Sequence, residues 1–232
     1  MLSIGELFDW LTDPENWTGR YGLANLLVEH LTLTLVSLTI AGLLAIPIGI
    51  AIGQSGRGET LVIALSSASR AIPTMGLMFA LVMLMGVEFR QFAVVLALVS
   101  IAIPPVLAGA YAGIKSIPIV IREGARAQGM TTLQQIRHVG LPLSAPSMVG
   151  GFKIAFLQVV STVVLAPLVG LGGLGFGIIQ GLALRDFAQL TGSALVIVLL
   201  SITGERLLAK AQTKLDLRLR HKKNRQKTKE SK

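Results

Sequence analysis

The chain has 232 residues, of which 52% are hydrophobic and 14% are charged, and its mean hydropathy is +0.69. A soluble domain carries roughly 25% charged residues, so this composition excludes an ordinary water-soluble protein and indicates a membrane bundle. The chain contains no cysteine, which excludes a disulfide, a thiol nucleophile and a thiolate metal site, and its net charge is +9.

The N-terminal segment, residues 1–29, is acidic. It contains five Asp or Glu residues and a single basic residue, Arg20. A secretory signal peptide begins with a basic stretch before an apolar core, so this segment does not resemble one. Its two tryptophans, Trp10 and Trp17, are typical of the aromatic belt at a membrane–water interface. We predict that residues 1–29 form a segment on the outer side of the membrane.

Five stretches are apolar enough to cross a membrane, which takes about 20 mostly apolar residues. The fourth is longer than one span requires and rich in glycine at its end, so we predict a span followed by a re-entrant or surface segment on the outer side. The predicted spans are residues 31–53, 60–87, 91–114, 154–184 and 187–204.

Two of these stretches contain residues that interrupt an apolar helix. Arg70 and Pro73 lie in the second stretch. Arg70 either faces a subunit interface beside a helix break, or lies at the inner membrane surface because the span begins at Ala71. Pro104 and Pro105 lie in the third stretch, where they either kink the helix or free backbone carbonyls for a cavity.

A basic, glycine-punctuated loop, residues 115–147, separates the third and fourth spans. Pro118 suits the first turn of a helix that Ser116 would cap, and Gly129 is the expected left-handed stop of that helix. Thr131 and Gln134 have the spacing of a capping box, which predicts the start of a second helix.

The second helix of this loop is predicted to end at about Val139. Leu141 precedes Pro142, and the residue before a proline is disfavoured in a helix. The loop is therefore expected to form two short helices joined by a sharp turn, either as an amphipathic connector at the membrane surface or as a docking element for a cytoplasmic protein.

The charge distribution predicts the orientation of the chain. Residues 210–232 contain ten Lys or Arg and two Asp or Glu residues, and so carry +8 of the net charge. A basic run can bind nucleic acid, but beside a membrane span it is typical of a cytoplasmic tail against anionic lipid, so no nucleic-acid partner is expected. The other basic residues also concentrate in alternate loops. The positive-inside rule therefore predicts five spans with the N-terminus outside and the C-terminus in the cytoplasm.

The basic loop fits the pattern E-A-A-x3-G-x9-I-x-L-P with two departures. The loop therefore resembles the signature cytoplasmic loop of the membrane subunits of ATP-binding-cassette (ABC) importers. Gly124 stands where the second Ala is usual, and Val139 where Ile is usual. The matching residues are Glu123, Ala125, Gly129, Leu141 and Pro142.

Four further stretches resemble the permeases of osmoprotectant importers, which take up glycine betaine, carnitine, choline or proline. Related methionine and phosphonate permeases share several of these features, so an amino acid or a phosphonate remains an alternative substrate. A more distant alternative is a membrane scaffold that docks another cytoplasmic protein. The stretches are "HLTLTLVSLTIAGLLAIPIGIAIG" (30–53), "SRAIPTMGLMFAL" (69–81), "GIKSIP" (113–118) and "GLGGLGFGIIQGL" (170–182).

The resemblance implies an all-α type I ABC importer permease fold with residues 30–209 as the transmembrane domain. It also implies three kinds of partner: a second permease subunit, identical or paralogous, a cytoplasmic ATP-binding subunit, and a substrate-binding protein outside. In that scheme the loop transmits closure of the ATPase pair to the permease. The implied ATPase-coupling residues are Glu123, Gly124, Ala125, Gly129, Val139, Leu141 and Pro142, and the pathway candidates are Arg70, Pro73, Pro104 and Pro105.

Other patterns limit the chemistry that this chain performs. It has no G-x-x-x-x-G-K-[ST] motif for ATP, so ATP hydrolysis is expected on a separate partner and no enzymatic activity or cofactor is predicted. No predicted span contains Asp or Glu, which argues against a carrier driven by an ion gradient. Aromatic residues do not cluster within the spans, so the aromatic cage that a quaternary ammonium requires is expected on the external binding protein.

Overall fold

The chain is almost entirely helical. A computed structural model describes residues 3–68 and 73–230, and no β-strand occurs within those two ranges. The predicted all-α class is therefore confirmed. The helices are α1 (Ile4–Thr12), α2 (Leu23–Ser55), α3 (Glu59–Ala68), α4 (Thr74–Met85), α5 (Arg90–Lys115), α6 (Ile119–Ala127), α7 (Thr132–Gln135), α8 (Leu141–Val163), α9 (Gly175–Leu184) and α10 (Phe187–Glu230).

Short segments of other helical types connect some of these helices. Their backbone hydrogen bonds span three or five residues instead of the four of an α-helix. They are the 3₁₀ helices Pro14–Trp17, Val87–Phe89 and Ala166–Val169, and a π-helical segment, Ile136–Gly140, between α7 and α8.

Four helical stretches of the described chain are long and apolar enough to cross a membrane. They contain the first, third and fifth predicted spans and the first part of the fourth. The helices that contain the first and the fourth predicted span begin earlier than predicted. Two shorter helices, α4 and α9, are also apolar. The long stretches are Leu23–Ser55, Val87–Lys115, Thr132–Val163 and Phe187–Leu219.

The second predicted span, residues 60–87, corresponds to two helices in the described chain, α3 and α4. Pro73 occupies the N-cap position of α4, where its fixed φ and missing N–H are tolerated. Arg70 lies outside the described residues. The count of five spans accordingly stays a prediction, while the segment predicted after the fourth span is resolved as α9.

The chain divides into two compact units, each assembled from three separate stretches. We call them unit 1 and unit 2, and helices α2, α5, α8 and α10 each contribute residues to both. Unit 1 comprises Met1–Ile40, Arg70–Ala102 and Phe156–Gly204, and unit 2 comprises Ala41–Ser69, Ile103–Ala155 and Glu205–Lys232.

Unit 2 packs its helices through small residues. A Cβ atom on Gly151 of α8 would lie 2.5 Å from the carbonyl oxygen of Pro105 and 3.0 Å from the Cα of Gly109, so α5 and α8 are in backbone contact there. Gly49 of α2 lies equally close to α5, at Ala110 and Leu107. This is the close approach that small residues allow between membrane helices.

Unit 1 buries polar side chains between its helices. His30 of α2 is fully buried and its Nε2 lies 3.1 Å from the carbonyl oxygen of Val160 on α8. The Thr34 hydroxyl, also buried, donates to the His30 carbonyl oxygen at 2.8 Å. One carboxylate oxygen of Glu29 accepts the backbone N–H of Gly173 at 3.1 Å, so α2 holds the loop before α9.

Many apolar side chains of the helices are exposed. Met83 and Leu84 at the end of α4 are each 83% exposed, and Leu199 of α10 is 54% exposed. A water-soluble protein rarely exposes contiguous apolar surface of this kind, whereas lipid or a neighbouring membrane subunit covers it favourably.

Candidate functional site

The turn of the basic loop is a complete Schellman motif in unit 2. Gly129 adopts a left-handed φ of 76° directly after α6, as predicted. Its N–H donates to the Arg126 carbonyl oxygen at 2.9 Å, and the N–H of Met130 donates to the Ala125 carbonyl oxygen at 3.2 Å. These two hydrogen bonds satisfy carbonyls that the end of a helix otherwise leaves unpaired. The turn therefore has a fixed geometry, and α6 and α7 form a rigid corner.

The predicted capping box after this turn is confirmed. The Thr131 hydroxyl accepts the N–H of Gln134 at 3.3 Å, and the Gln134 side chain accepts the N–H of Thr131 at 2.8 Å. At the other end of α6 the prediction was wrong, because the Ser116 hydroxyl donates to the Gly113 carbonyl oxygen instead of capping the helix. Pro118 occupies the N-cap position without a side-chain hydrogen bond.

Helix α6 has an amphipathic pattern of exposure. Ala125 is buried, while Glu123, Gly124 and Arg126 are exposed. The Arg122 guanidinium is held back by two hydrogen bonds to the Ile117 carbonyl oxygen, at 3.2 and 3.1 Å. The corner therefore presents one acidic and one basic side chain, neither of which forms an ion pair with a described residue.

Apolar side chains are exposed beside these charges. Val120 of α6 and Leu133 of α7 are each 74% exposed, and Ile119 is 60% exposed. Apolar side chains at this exposure gain free energy when another surface covers them. The corner thus combines a rigid backbone, exposed charges and exposed apolar groups, which are the components of a docking surface.

The second short helix of the loop does not end before Leu141 and Pro142, contrary to our prediction. The helical path continues from α7 through the π-helical segment into α8. The Leu141 N–H bonds to the Ile136 carbonyl oxygen, five residues earlier. The wider turn accommodates Pro142, which then lies in the first turn of α8, where a proline costs little. Val139 is half-buried within the π segment, and Leu141 and Pro142 are exposed.

An ion pair that the sequence did not reveal joins the basic loop to α3. Lys115, at the end of α5, pairs with Glu59, and its Nζ also donates to the Tyr111 hydroxyl at 2.8 Å. The hydrogen bond from Lys115 holds the pKa of the Glu59 carboxyl below its usual value. These partners lie 56 residues apart, a separation at which no local pattern predicts contact.

The remaining pathway candidates lie in different settings. Pro104 is buried in α5, and the carbonyl oxygen of the half-buried Pro105 faces the backbone of Gly151. Pro73 is exposed at the start of α4. These contacts describe helix packing at Pro105, and the assignment of all four candidates to a pathway stays a prediction.

Sequence analysis also missed helix contacts that a simple spacing could have indicated. Gly49 and Gly53 of α2, and Gly109 and Gly113 of α5, are separated by four positions, and each of the four approaches a neighbouring helix. This is the G-x-x-x-G spacing of close membrane-helix contacts. The Ser147 hydroxyl adds a hydrogen bond to the Gly109 carbonyl oxygen at 3.0 Å.

Comparison with known proteins identifies the chain's family. Residues 45–221 match the family described as "Binding-protein-dependent transport system inner membrane component". The choline transport system permease protein OpuBB of Bacillus subtilis is 29% identical over 81% of this chain and 85% of its own length. The osmoprotectant import permease protein OsmW of Salmonella typhimurium is 30% identical over 83% of this chain and 91% of its own length.

The fold is shared with a solved ABC transporter. An inward-facing structure of the MetNI methionine ABC transporter superposes with a TM-score of 0.73, covering 88% of this chain and 99% of that chain at 21% identity. At that identity the likeness establishes the fold alone, and it confirms the predicted type I importer permease architecture. This chain belongs to the family of inner membrane components of binding-protein-dependent transport systems.

Proposed function

We propose that this chain is the permease subunit of an ATP-driven importer and forms the translocation pathway for a compatible solute such as glycine betaine, carnitine or choline. Its relatives are named as permeases for choline, for osmoprotectants and for glycine betaine, carnitine and choline together. Their similarity extends over about four-fifths of the chain, which supports a common substrate class more strongly than the fold likeness to a methionine transporter does.

The observation that carries this proposal is the rigid corner of α6 and α7. Its Schellman turn fixes the direction of α6 relative to α7. A displacement of one helix of the corner would therefore move the other helix with it. A separate ATP-binding subunit would dock on Glu123, Gly124, Ala125 and Gly129, with Val139, Leu141 and Pro142 forming the junction to α8. Its closure would then displace α8, which is continuous with the corner through the π segment.

This proposal requires three kinds of partner besides the chain itself. A second permease, identical or paralogous, completes the pathway, the ATP-binding subunits lie in the cytoplasm, and a substrate-binding protein delivers the solute from outside. The N-terminus lies outside and the basic tail lies in the cytoplasm. Helix α10 is 44 residues long and therefore extends about 66 Å, so it is long enough to cross a hydrocarbon core of about 30 Å and continue beyond it.

Reconstitution into liposomes tests the importer function. The permease with its ATP-binding subunit and binding protein should accumulate radiolabelled choline or glycine betaine only when ATP is supplied, and omission of any one component should abolish uptake. The permease alone should neither hydrolyse ATP nor accumulate solute under a proton or sodium gradient. Uptake under an ion gradient without the ATP-binding subunit would contradict the proposal. Uptake of methionine, but of no quaternary ammonium compound, would instead show that the substrate is an amino acid.

Cysteine labelling tests the orientation, because the natural chain contains no cysteine. Single cysteines at Ser3 and Lys214, both exposed, should differ in intact cells: a membrane-impermeant thiol reagent should label Ser3→Cys and should reach Lys214→Cys only after the membrane is opened. Labelling of both positions in intact cells would contradict a span count that places the two ends on opposite sides.

A further inference from the structure

Unit 1 contains a cavity of about 370 Å³ that no sequence pattern predicted. Its volume lies within the range of small-molecule sites, which is roughly 300–1,000 Å³. It is formed by the segment before α2, the start of α2, α9 and the start of α10. The lining residues used below are Trp10, Glu15, Tyr21, Gln180, Gln189 and Ser193.

The Trp10 side of the cavity is held by several fixed contacts. The Asn16 side chain donates to the Trp10 carbonyl oxygen at 2.9 Å, and the Trp17 indole donates to the Leu11 carbonyl oxygen at 2.7 Å. The Trp10 ring lies directly on Gly192 of α10, where a Cβ atom would overlap it. The aromatic wall is therefore in place before any ligand arrives.

Other residues of the lining make fixed contacts as well. The Tyr21 ring stacks on Phe176 of α9, with 4.6 Å between ring centroids and 11° between planes. The Gln189 side-chain nitrogen donates to the Gln180 side-chain oxygen at 2.7 Å. The Ser193 hydroxyl is fully buried against Gly177 of α9 and has no hydrogen-bond partner within the described chain.

The charge of the lining selects the kind of ligand. Glu15 is its one acidic residue, and the twelve residues around the cavity include no Lys, Arg or His. The nearby Arg20 lies over the Tyr21 ring, 5.6 Å from its centroid, and is not part of the lining. A carboxylate together with an aromatic ring attracts a cation, whereas an anion would meet no opposite charge within the lining itself.

We propose that this cavity binds a small organic cation, specifically the quaternary ammonium group of the transported solute. Such a group donates no hydrogen bonds, so its recognition depends on an aromatic ring and a nearby negative charge, which Trp10 and Glu15 supply. The side-chain amides of Gln180 and Gln189 in the lining offer hydrogen bonds to the polar remainder of the solute. The permease thus carries a substrate site of its own, in addition to any site on a binding protein, and this inference rests on the proposed function.

Equilibrium binding of radiolabelled choline to the assembled importer in nanodiscs, without the binding protein, tests the site. Trp10→Leu and Glu15→Gln should each weaken choline binding about tenfold or more. Phe8→Leu and Asp9→Asn are matched controls in α1, because both residues are exposed and lie outside the lining, and they should bind choline as the natural chain does. The neutral carbon analogue 3,3-dimethylbutanol should not compete.

The outcomes separate this inference from the proposed function. Choline binding that is absent, or that is unchanged in both Trp10→Leu and Glu15→Gln, overturns the site even if the complete importer takes up choline. Equal competition by the neutral analogue also overturns it. Choline binding that Glu15→Gln weakens and Asp9→Asn preserves supports the site, even if the complete importer fails to take up choline and the proposed function is rejected.

Discussion

A pair of glycines in unit 2 and a pair in unit 1 make different kinds of close contact. Gly109 and Gly151 of unit 2 face backbone: a Cβ on Gly109 would meet the Cα of Gly151, and a Cβ on Gly151 would meet the carbonyl oxygen of Pro105. Gly172 and Gly192 of unit 1 face side chains, which are the Glu29 carboxylate and the Trp10 ring.

This difference indicates which contacts can adjust. A backbone in a helix cannot move away from a new side chain without shifting the whole helix, so the unit 2 contact is intolerant of any Cβ. A side chain can rotate away from a new Cβ atom, so a substitution at either unit 1 glycine should cost less stability. The rotation would, however, break the hydrogen bond or the ring contact that the side chain makes. The following predictions test this comparison, from the largest expected effect to the smallest.

Gly151→Val should have the largest effect on stability. It places a branched side chain where even a Cβ atom lies 2.5 Å from a backbone oxygen, so α5 and α8 must separate, at a cost of about 3 kcal/mol or more. Denaturation in mixed micelles measures this loss. Gly124→Ala is the control, because it replaces a helical glycine with no neighbouring atom within 4 Å and should stabilise α6 by up to about 1 kcal/mol. Equal effects of the two substitutions would contradict the backbone contact.

Glu29→Ala should destabilise unit 1 less than Gly151→Val destabilises unit 2. It removes the carboxylate that accepts the Gly173 N–H. A hydrogen bond of this kind, to a carboxylate, contributes about 2 kcal/mol to stability. Glu29→Gln should cost less, because an amide oxygen can still accept that bond. Faster hydrogen exchange at Gly173 is the local readout. The exposed Glu88→Ala serves as control, and an unchanged exchange rate in Glu29→Ala would show that the carboxylate does not hold this loop.

Gly129→Leu should cost about 1–2 kcal/mol, which is the strain of a left-handed φ rather than of a collision, because no atom lies within 4 Å of its Cβ position. If the corner docks the ATP-binding subunit, the variant should lose co-purification with that subunit or hydrolyse ATP without uptake. Gly129→Asn should retain docking, since asparagine tolerates this conformation. Normal co-purification and uptake in Gly129→Leu would remove the docking role from this turn.

Glu59→Gln should have the smallest effect, because both partners of the Glu59–Lys115 pair are about half exposed. The pair lowers the pKa of Glu59, so its stabilisation is present above the ordinary pKa of 4.5 and is lost as the pH falls through the lower pKa of the folded protein. The unfolding midpoints of Glu59→Gln and the natural chain should therefore differ slightly at pH 7 and converge in acid. A difference that persists at low pH would point to a contact other than the ion pair.

Local signals predicted several features of the site correctly. The positive φ of Gly129 and the capping box at Thr131 depend on residues that are neighbours in sequence, so both features can be predicted without knowing the fold. The break expected at Pro142 failed because helix continuity depended on a π turn that a proline rule does not anticipate. The Ser116 cap failed for a different reason, since its hydroxyl donates to the Gly113 carbonyl oxygen of the preceding helix.

The sequence by itself determined the membrane class, the helical class and the corner of the basic loop, because composition, apolar run length and capping chemistry are properties of short stretches. Only the tertiary structure decided which distant residues meet. It paired Glu59 with Lys115, placed Glu29 on Gly173, and gathered Trp10, Glu15 and Tyr21 with residues of α9 and α10 around one cavity. These partners are separated by 50 residues or more along the chain, and side-chain contact at that separation depends on helix packing rather than on local pattern.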